Sequence, residues 1–299
     1  MGNHQKGKGE KKDKEKQDMP DNTTEHDTES EKYLIPELEM EGQFKHRYNR
    51  GADAYSKSKQ PIDPKLAANR NYPYLNNNEV KQHFKDANTE LKDPIHYAPN
   101  IAVFRATQGD RLLAIKFVDL SSMKDTDKFH QTNAYHTRAV LSHPRIIYSY
   151  YQGKLENRLF VYAMEYASKG TLEDMLRDNG AFAEKLAMNM FFEIIKAVQY
   201  LHKKGIAHRN IILEHVLVTK RNIPKLTGFK FAIPFNGVNL IDKHVGVGSY
   251  LPPEVLSRQP YDPFKADVWS LGVVLFALTN DGFPFHRVVS DQVNSSGPH

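Results

Sequence analysis

The chain has 299 residues, 39% of them hydrophobic, enough for one large domain or two small ones with a substantial core. Its formal charge is +5 and it has no cysteine, which excludes a disulfide framework and a thiolate metal site and suits a reducing compartment. The longest apolar run, Leu271 to Leu278, falls well short of a membrane span, and the charged N-terminus is no secretory signal; a cytoplasmic or nuclear setting is expected.

From residue 1 to about 32 the chain is nearly all Lys, Glu, Asp, Asn, Gln, Thr and Gly. Such a segment buries too little apolar area to offset the entropy of ordering, so a disordered charged tail is expected. Its lysines alternate with Glu10, Asp13, Glu15 and Asp18, which leaves a weak net field. No reading motif accompanies the charge, and no nucleic-acid partner is expected. Met1-Gly2-Asn3 opens like a myristoylation signal, but Lys6 stands where that signal needs Ser or Thr, and no membrane attachment is expected. Residues 33–94 are rich in Asn, Lys and Pro, with scattered aromatics and no sustained period. They read as a largely irregular extension that drapes on the domain or stays mobile, with a partner-docking segment as the alternative and a short helix between Glu79 and Leu91.

Strand patterns begin at Ile101-Ala102-Val103-Phe104, continue from Leu112 to Val118, and recur at Ile146 to Tyr151 and Leu159 to Met164. A Gln108-Gly109-Asp110 turn joins the first pair and a polar hairpin around Gly153 joins the second, with room for one helix from Thr126 to Leu141. Beyond Gly170 the period becomes helical. Leu186, Met190, Phe191, Ile194, Val198 and Leu201 form the stripe of a long amphipathic helix, closed by Lys203-Lys204-Gly205. Val268 to Leu278 is apolar almost all round and predicts a fully buried helix. The fold class is α+β, a small antiparallel sheet with one helix followed by a mostly helical lobe.

Set on these elements are Ala114-Ile115-Lys116, His143-Pro144, Met164-Glu165-Tyr166, His208-Arg209, Pro253-Glu254, Asp267-Val268-Trp269-Ser270-Leu271-Gly272 and Pro284-Phe285. Their order and spacing resemble the eukaryotic protein kinase superfamily, serine/threonine type, over roughly Ile95 to Phe285. His143-Pro144-Arg145-Ile146-Ile147 and Arg177-Asp178-Asn179-Gly180-Ala181-Phe182 look most like calcium/calmodulin-kinase-related and testis-specific serine kinases. The resemblance implies a bilobal fold with an N-lobe and hinge over 95–167 and a C-lobe over 168–285, followed by a polar tail at 286–299. It implies that Met164 is the gatekeeper, that Glu165-Tyr166-Ala167 is the hinge, and that Val103, Ala114 and Leu217 enclose an adenine. Three helices that the family adds after the Pro-Phe element have no counterpart, so the C-lobe reads as C-terminally truncated and Glu254 as lacking its distal arginine.

The parts that perform phosphoryl transfer in the family are altered one by one. His96, Ala98 and Ile101 stand where three glycines let backbone amides close over phosphates. Lys116 keeps the context of the phosphate-gripping lysine, but Ala134 stands where the glutamate that orients it belongs, and no nearby acid is an evident substitute. His208-Arg209-Asn210-Ile211-Ile212-Leu213-Glu214-His215 replaces H-R-D-L-K-P-E-N, so Asn210 removes the base, Ile212 the cation and His215 a metal ligand. Gly228-Phe229-Lys230 replaces D-F-G and removes the carboxylate that holds magnesium. Lys230 is a candidate ammonium for the vacated magnesium position, against the plainer reading of a solvated loop lysine. Val247 stands for the usual activation-segment threonine, and the histidines show no metal-ligand spacing.

The resulting expectation is a pseudokinase that acts as a scaffold or allosteric partner of proteins such as an active kinase or a signalling complex. It retains an ATP site, weak and metal-independent, at Val103, Ala114, Lys116, Met164, Glu165, Tyr166, Ala167 and Leu217; magnesium and other metals are not expected. Two alternatives are an atypical low-activity serine/threonine kinase and a non-functional truncated product.

Overall fold

A computed structural model describes residues 78–155 and 158–285. The charged tail, most of the extension and the polar tail lie outside the described residues.

The first element, α1 (Asn78–Asp86), carries Val80 and Phe84 one turn apart on one face, both buried. Glu79 in its first turn and His83 and Lys85 in its last complement the helix dipole. Asn88, in the left-handed region at φ 48°, reverses the chain into β1 (Thr89–Ala98). This strand begins inside the segment expected to be irregular. It escaped the sequence pattern because it lies at a sheet edge and Pro94 sits between two register shifts, the positions where a strand tolerates proline.

Strands β2 (Ile101–Gln108), β3 (Arg111–Asp119), β4 (Ser149–Leu155) and β5 (Leu159–Glu165) complete an antiparallel sheet of order β1-β2-β3-β5-β4. The Gly109-Asp110 turn is as predicted, with Gly109 at φ 57°. The other hairpin differs: Gly153 lies inside β4 opposite Val161, and the chain reverses between Leu155 and Leu159. The glycine serves close approach instead, because the Tyr151 ring occupies the space where its Cβ would stand. Ile146 and Ile147 precede the sheet, and Ile146 forms a bridge to Leu226 of the other lobe.

One sheet face packs Phe104, Phe117, Leu155 and Leu159 under Val80 and Phe84 of α1, with the Phe84 and Phe117 rings edge-on at 5.7 Å. The other face carries α2 (Asp125–Ala139), whose Tyr135 stacks on Phe160 at 4.7 Å.

The helical lobe opens with α3 (Leu172–Asn179), started by a capping box in which Thr171 and Asp174 satisfy each other's backbone amides. In α4 (Glu184–Lys203), Leu186, Met190, Ile194, Val198 and Leu201 are buried as their spacing predicts, and Gly205 at φ 69° ends the turn that follows. Short strands β6 (Ile206–Ala207), β7 (Val216–Val218), β8 (Pro224–Leu226) and β9 (Ile233–Pro234) pair as β6-β9 and β7-β8. After α5 (Pro253–Leu256), α6 (Pro263–Asn280) starts at Asp262, whose carboxylate accepts the amides of Phe264 and Lys265. This helix was expected to be fully buried, yet Val268 is 60% and Phe276 39% exposed. Its apolar surface is wider than the cover supplied by the elements it packs on, chiefly α4 and the Gly248–Tyr250 turn.

Candidate functional site

The cleft between the lobes is assembled by strand register. Val103 of β2 pairs with Lys116 of β3, and Lys116 pairs with Tyr162 of β5, while Ala114 pairs with Met164. Val103, Ala114, Met164, Tyr166, Ala167 and Leu217 join one apolar cluster, so seven of the eight residues expected to hold nucleotide line or adjoin one slot when Lys116 is added. The eighth, Glu165, turns its side chain away: it accepts the Tyr148 amide at 2.7 Å and pairs with Lys225 of β8 at 2.7 Å. Leu217 forms the floor through its bridge to Thr171.

Over this slot lies the β1-β2 hairpin, turned by Pro99 and Asn100, with Asn100 at φ 62°. Proline followed by a left-handed residue is the pattern of a type II turn. Pro99 has no N–H to offer a phosphate, and the tip is stitched to the end of β3 and the turn after it: the Asn100 carbonyl accepts the Asp119 amide at 2.8 Å, and Ser122 Oγ donates to Asn100 Oδ1 at 2.7 Å.

Lys116 has no ion pair among the described residues. Its Nζ stands 6.0 Å from the Tyr162 ring centroid, and the Arg138 guanidinium carbon 5.9 Å from the same centroid. Burial, then Arg138 and Lys230, push the lysine down to about 8. Burial likewise lowers Arg138 to about 10 and raises the Tyr162 hydroxyl above its ordinary value. Arg138 comes from α2, one turn after Ala134, and donates to the Ile147 carbonyl and the Thr227 hydroxyl while lying over the Phe229 ring. Arg138 is a cation near a place where an acid was expected, and its four-residue spacing from Ala134 was the available signal.

Below, the loop from His208 to His215 keeps a firm scaffold. Buried Asp267 of α6 accepts the His208 amide at 2.8 Å and the Arg209 amide at 2.7 Å, holding Arg209 at φ 62°. The His208 ring donates from Nε2 to the Thr227 carbonyl and accepts the Asn210 amide at Nδ1; burial lowers its pKa, in keeping with a neutral ring. The Arg209 guanidinium is engaged by the Tyr261 hydroxyl and the Lys243 carbonyl. Asn210 Oδ1 is buried without a hydrogen bond among the described residues, and Ile212 is sunk in the apolar core of the helical lobe. His215 donates from Nδ1 to the Asn210 carbonyl at 2.9 Å, and its ring fills the space beside Gly228: a Cβ at 228 would overlap the imidazole.

A family model described as "Protein kinase domain" matches residues 101–297. This chain belongs to the protein kinase family. It is 36% identical over 182 residues to "Serine/threonine-protein kinase kin-29" of Caenorhabditis elegans, covering 61% of this chain and 22% of that protein. With "NUAK family SNF1-like kinase 1" of Homo sapiens it shares 30% over 227 residues, 72% of this chain and 34% of the relative. With "Probable serine/threonine-protein kinase KCC4" of Saccharomyces cerevisiae it shares 37% over 146 residues, 49% and 14% respectively. The chain thus spans at most about a third of the length of these relatives.

A kinase domain implies ATP, ordinarily with magnesium. The apolar slot and Lys116 fit an adenine nucleotide. The magnesium position does not fit: neither Gly228 nor His215 offers an oxygen, and the imidazole occupies the room a carboxylate at 228 needs. Among the described residues no group of three His, Cys, Asp or Glu is placed to hold a metal. Lys230 does not reach into this position, since its ammonium pairs with Asp127 of α2 at 2.8 Å. That contact lowers the Asp127 pKa, and Asn133 Nδ2 donating to the Ala232 carbonyl adds a second tie between α2 and the same segment. No described helix is long and apolar enough to cross a membrane.

Proposed function

We propose that this kinase-family chain is a pseudokinase of serine/threonine-kinase descent, a cytoplasmic binding module that accepts an adenine nucleotide without metal and does not transfer its phosphate. The observation that carries this is the His215 imidazole packed where a side chain at Gly228 would stand, beside a base position held by Asn210. An amide accepts no proton at neutral pH, and without the two oxygen ligands nothing holds magnesium between the phosphates. The retained Asp267 scaffold and the apolar slot preserve shape without this chemistry, which suits a protein that works through protein partners, such as an active kinase or a signalling complex.

Thermal unfolding of the purified full chain with ATP, with and without magnesium, alongside a phosphotransfer assay on a generic protein substrate, tests the reading. The expected result is a rise in midpoint with ATP that magnesium does not increase, and no transfer. A magnesium-dependent rise, together with transfer abolished by Lys116→Met, would establish the second reading: ATP-dependent serine/threonine phosphorylation, which the printed names of the relatives favour.

A further inference from the structure

The cleft presents a half-buried cation that no anion pairs among the described residues. Lys116 has no ion pair among the described residues, and the charge nearest in effect is another cation, Arg138. Both stand about 6 Å from the Tyr162 centroid, and Lys230 adds a third positive charge to their surroundings, partly neutralised by Asp127. A half-buried unpaired ammonium beside a guanidinium is costly, and an anion entering between them relieves that cost. The apolar slot of Val103, Ala114, Met164 and Leu217 lies directly along β2, β3 and β5 from this point.

We infer that Lys116 and Arg138 form a two-cation seat for the polyphosphate of a nucleotide in its metal-free, fully charged state. The inference rests on the nucleotide-binding reading above and adds the residue that reads the phosphates and the charge state they must have. Arg138 emerges one turn from Ala134, the position the sequence assigned to a missing carboxylate, so the local charge is reversed. A triphosphate already carrying magnesium is less negative and brings a cation toward two others, while Glu165, the carboxylate that acts on Arg138, is already paired with Lys225. The seat therefore discriminates against the metal complex.

Three probes separate the parts: adenosine for the slot, inorganic tripolyphosphate for the seat, and ATP for both, each titrated into the full chain in EDTA and again in excess magnesium. Wild type is expected to bind ATP and tripolyphosphate more tightly in EDTA, and adenosine equally in both. Arg138→Leu is expected to weaken ATP in EDTA by about tenfold or more, the loss typical of a charge-assisted contact, and to erase the metal discrimination while leaving adenosine unchanged. Arg138→Lys should retain most of the ATP affinity. Because Arg138 also braces Ile147 and Thr227, a second readout covers misfolding of the variants. At pH 8.5, where metal-free ATP is already fully ionised, wild type should take up protons on binding ATP in EDTA, as the anion recharges Lys116, and Lys116→Met should not. Unchanged ATP affinity in Arg138→Leu, tighter binding with magnesium, or absence of proton uptake would overturn the seat while leaving the slot standing. Failure of adenosine and ATP alike to bind would overturn the nucleotide reading as well.

Discussion

At residue scale the cleft shows substitutions that depend on one another. His215 and Gly228 are a steric pair: the imidazole occupies the volume that only a glycine at 228 leaves open. Restoring the lost carboxylates with Asn210→Asp and Gly228→Asp alone should fail, since the new side chain meets the ring and Gly228 sits at φ 87°. Gly228→Asp is expected to cost about 2–3 kcal/mol, the scale of overpacking, and Gly228→Asp with His215→Asn clearly less. A double-mutant cycle by denaturant unfolding measures this, and strict additivity would refute the steric pairing. Lys116 acts through charge. Its pKa is about 8 when folded and 10.5 ordinarily, so the unfolded chain holds more protons between those values and stability rises as pH climbs through that window. Below about pH 8 the full cost of the half-buried ammonium is present. Lys116→Met should therefore stabilise the chain at pH 7, by about 1–2 kcal/mol after allowing for its partial exposure, and by progressively less toward pH 10. A midpoint difference that does not shrink over that range would contradict the assignment. The departures from the family's motifs were legible in the sequence because each stood at a fixed spacing from Val103, His143 or His208. The replacements that fill the space were not, because Arg138, Tyr162 and Pro99 act through packing from neighbouring elements.

Elements with a clean period were legible and those at edges were not. The stripe of α4 and the two-residue turn at Gly109 follow from spacing alone. β1 was hidden by Pro94 and by having one paired side, and the exposed stripe of α6 by a composition that says nothing about which neighbours arrive. The helix α1 was readable as a helix but not as part of the N-lobe, since its role depends on Val80 and Phe84 meeting Phe104 and Phe117 across the sheet. It lies before the stretch matched by the family model, yet it covers apolar rings that would otherwise face water. Phe84→Ala should cost about 3 kcal/mol, the usual range for a buried phenylalanine. Chemical denaturation with an unchanged slope would register it, and a loss below about 0.5 kcal/mol would mean that α1 is not docked in solution.

At the scale of the molecule the two lobes are tied by ion pairs and hydrogen bonds that need no ligand. Glu165 at the hinge reaches Lys225 of β8, Arg138 of α2 reaches Thr227, and Lys230 reaches Asp127. The bilobal plan was legible because seven short motifs kept their order, while the ties between lobes join residues as far as 103 apart in sequence and leave no local trace. The roof of the cleft follows the same pattern. The β1-β2 tip is turned by a proline and stitched to Asp119 and Ser122, so it has little freedom to fold down over a guest. A cleft whose cover does not close places no step between arrival and departure. For the nucleotide proposed above, occupancy would then track the surrounding concentration from moment to moment, with no captive copy held from one encounter to the next.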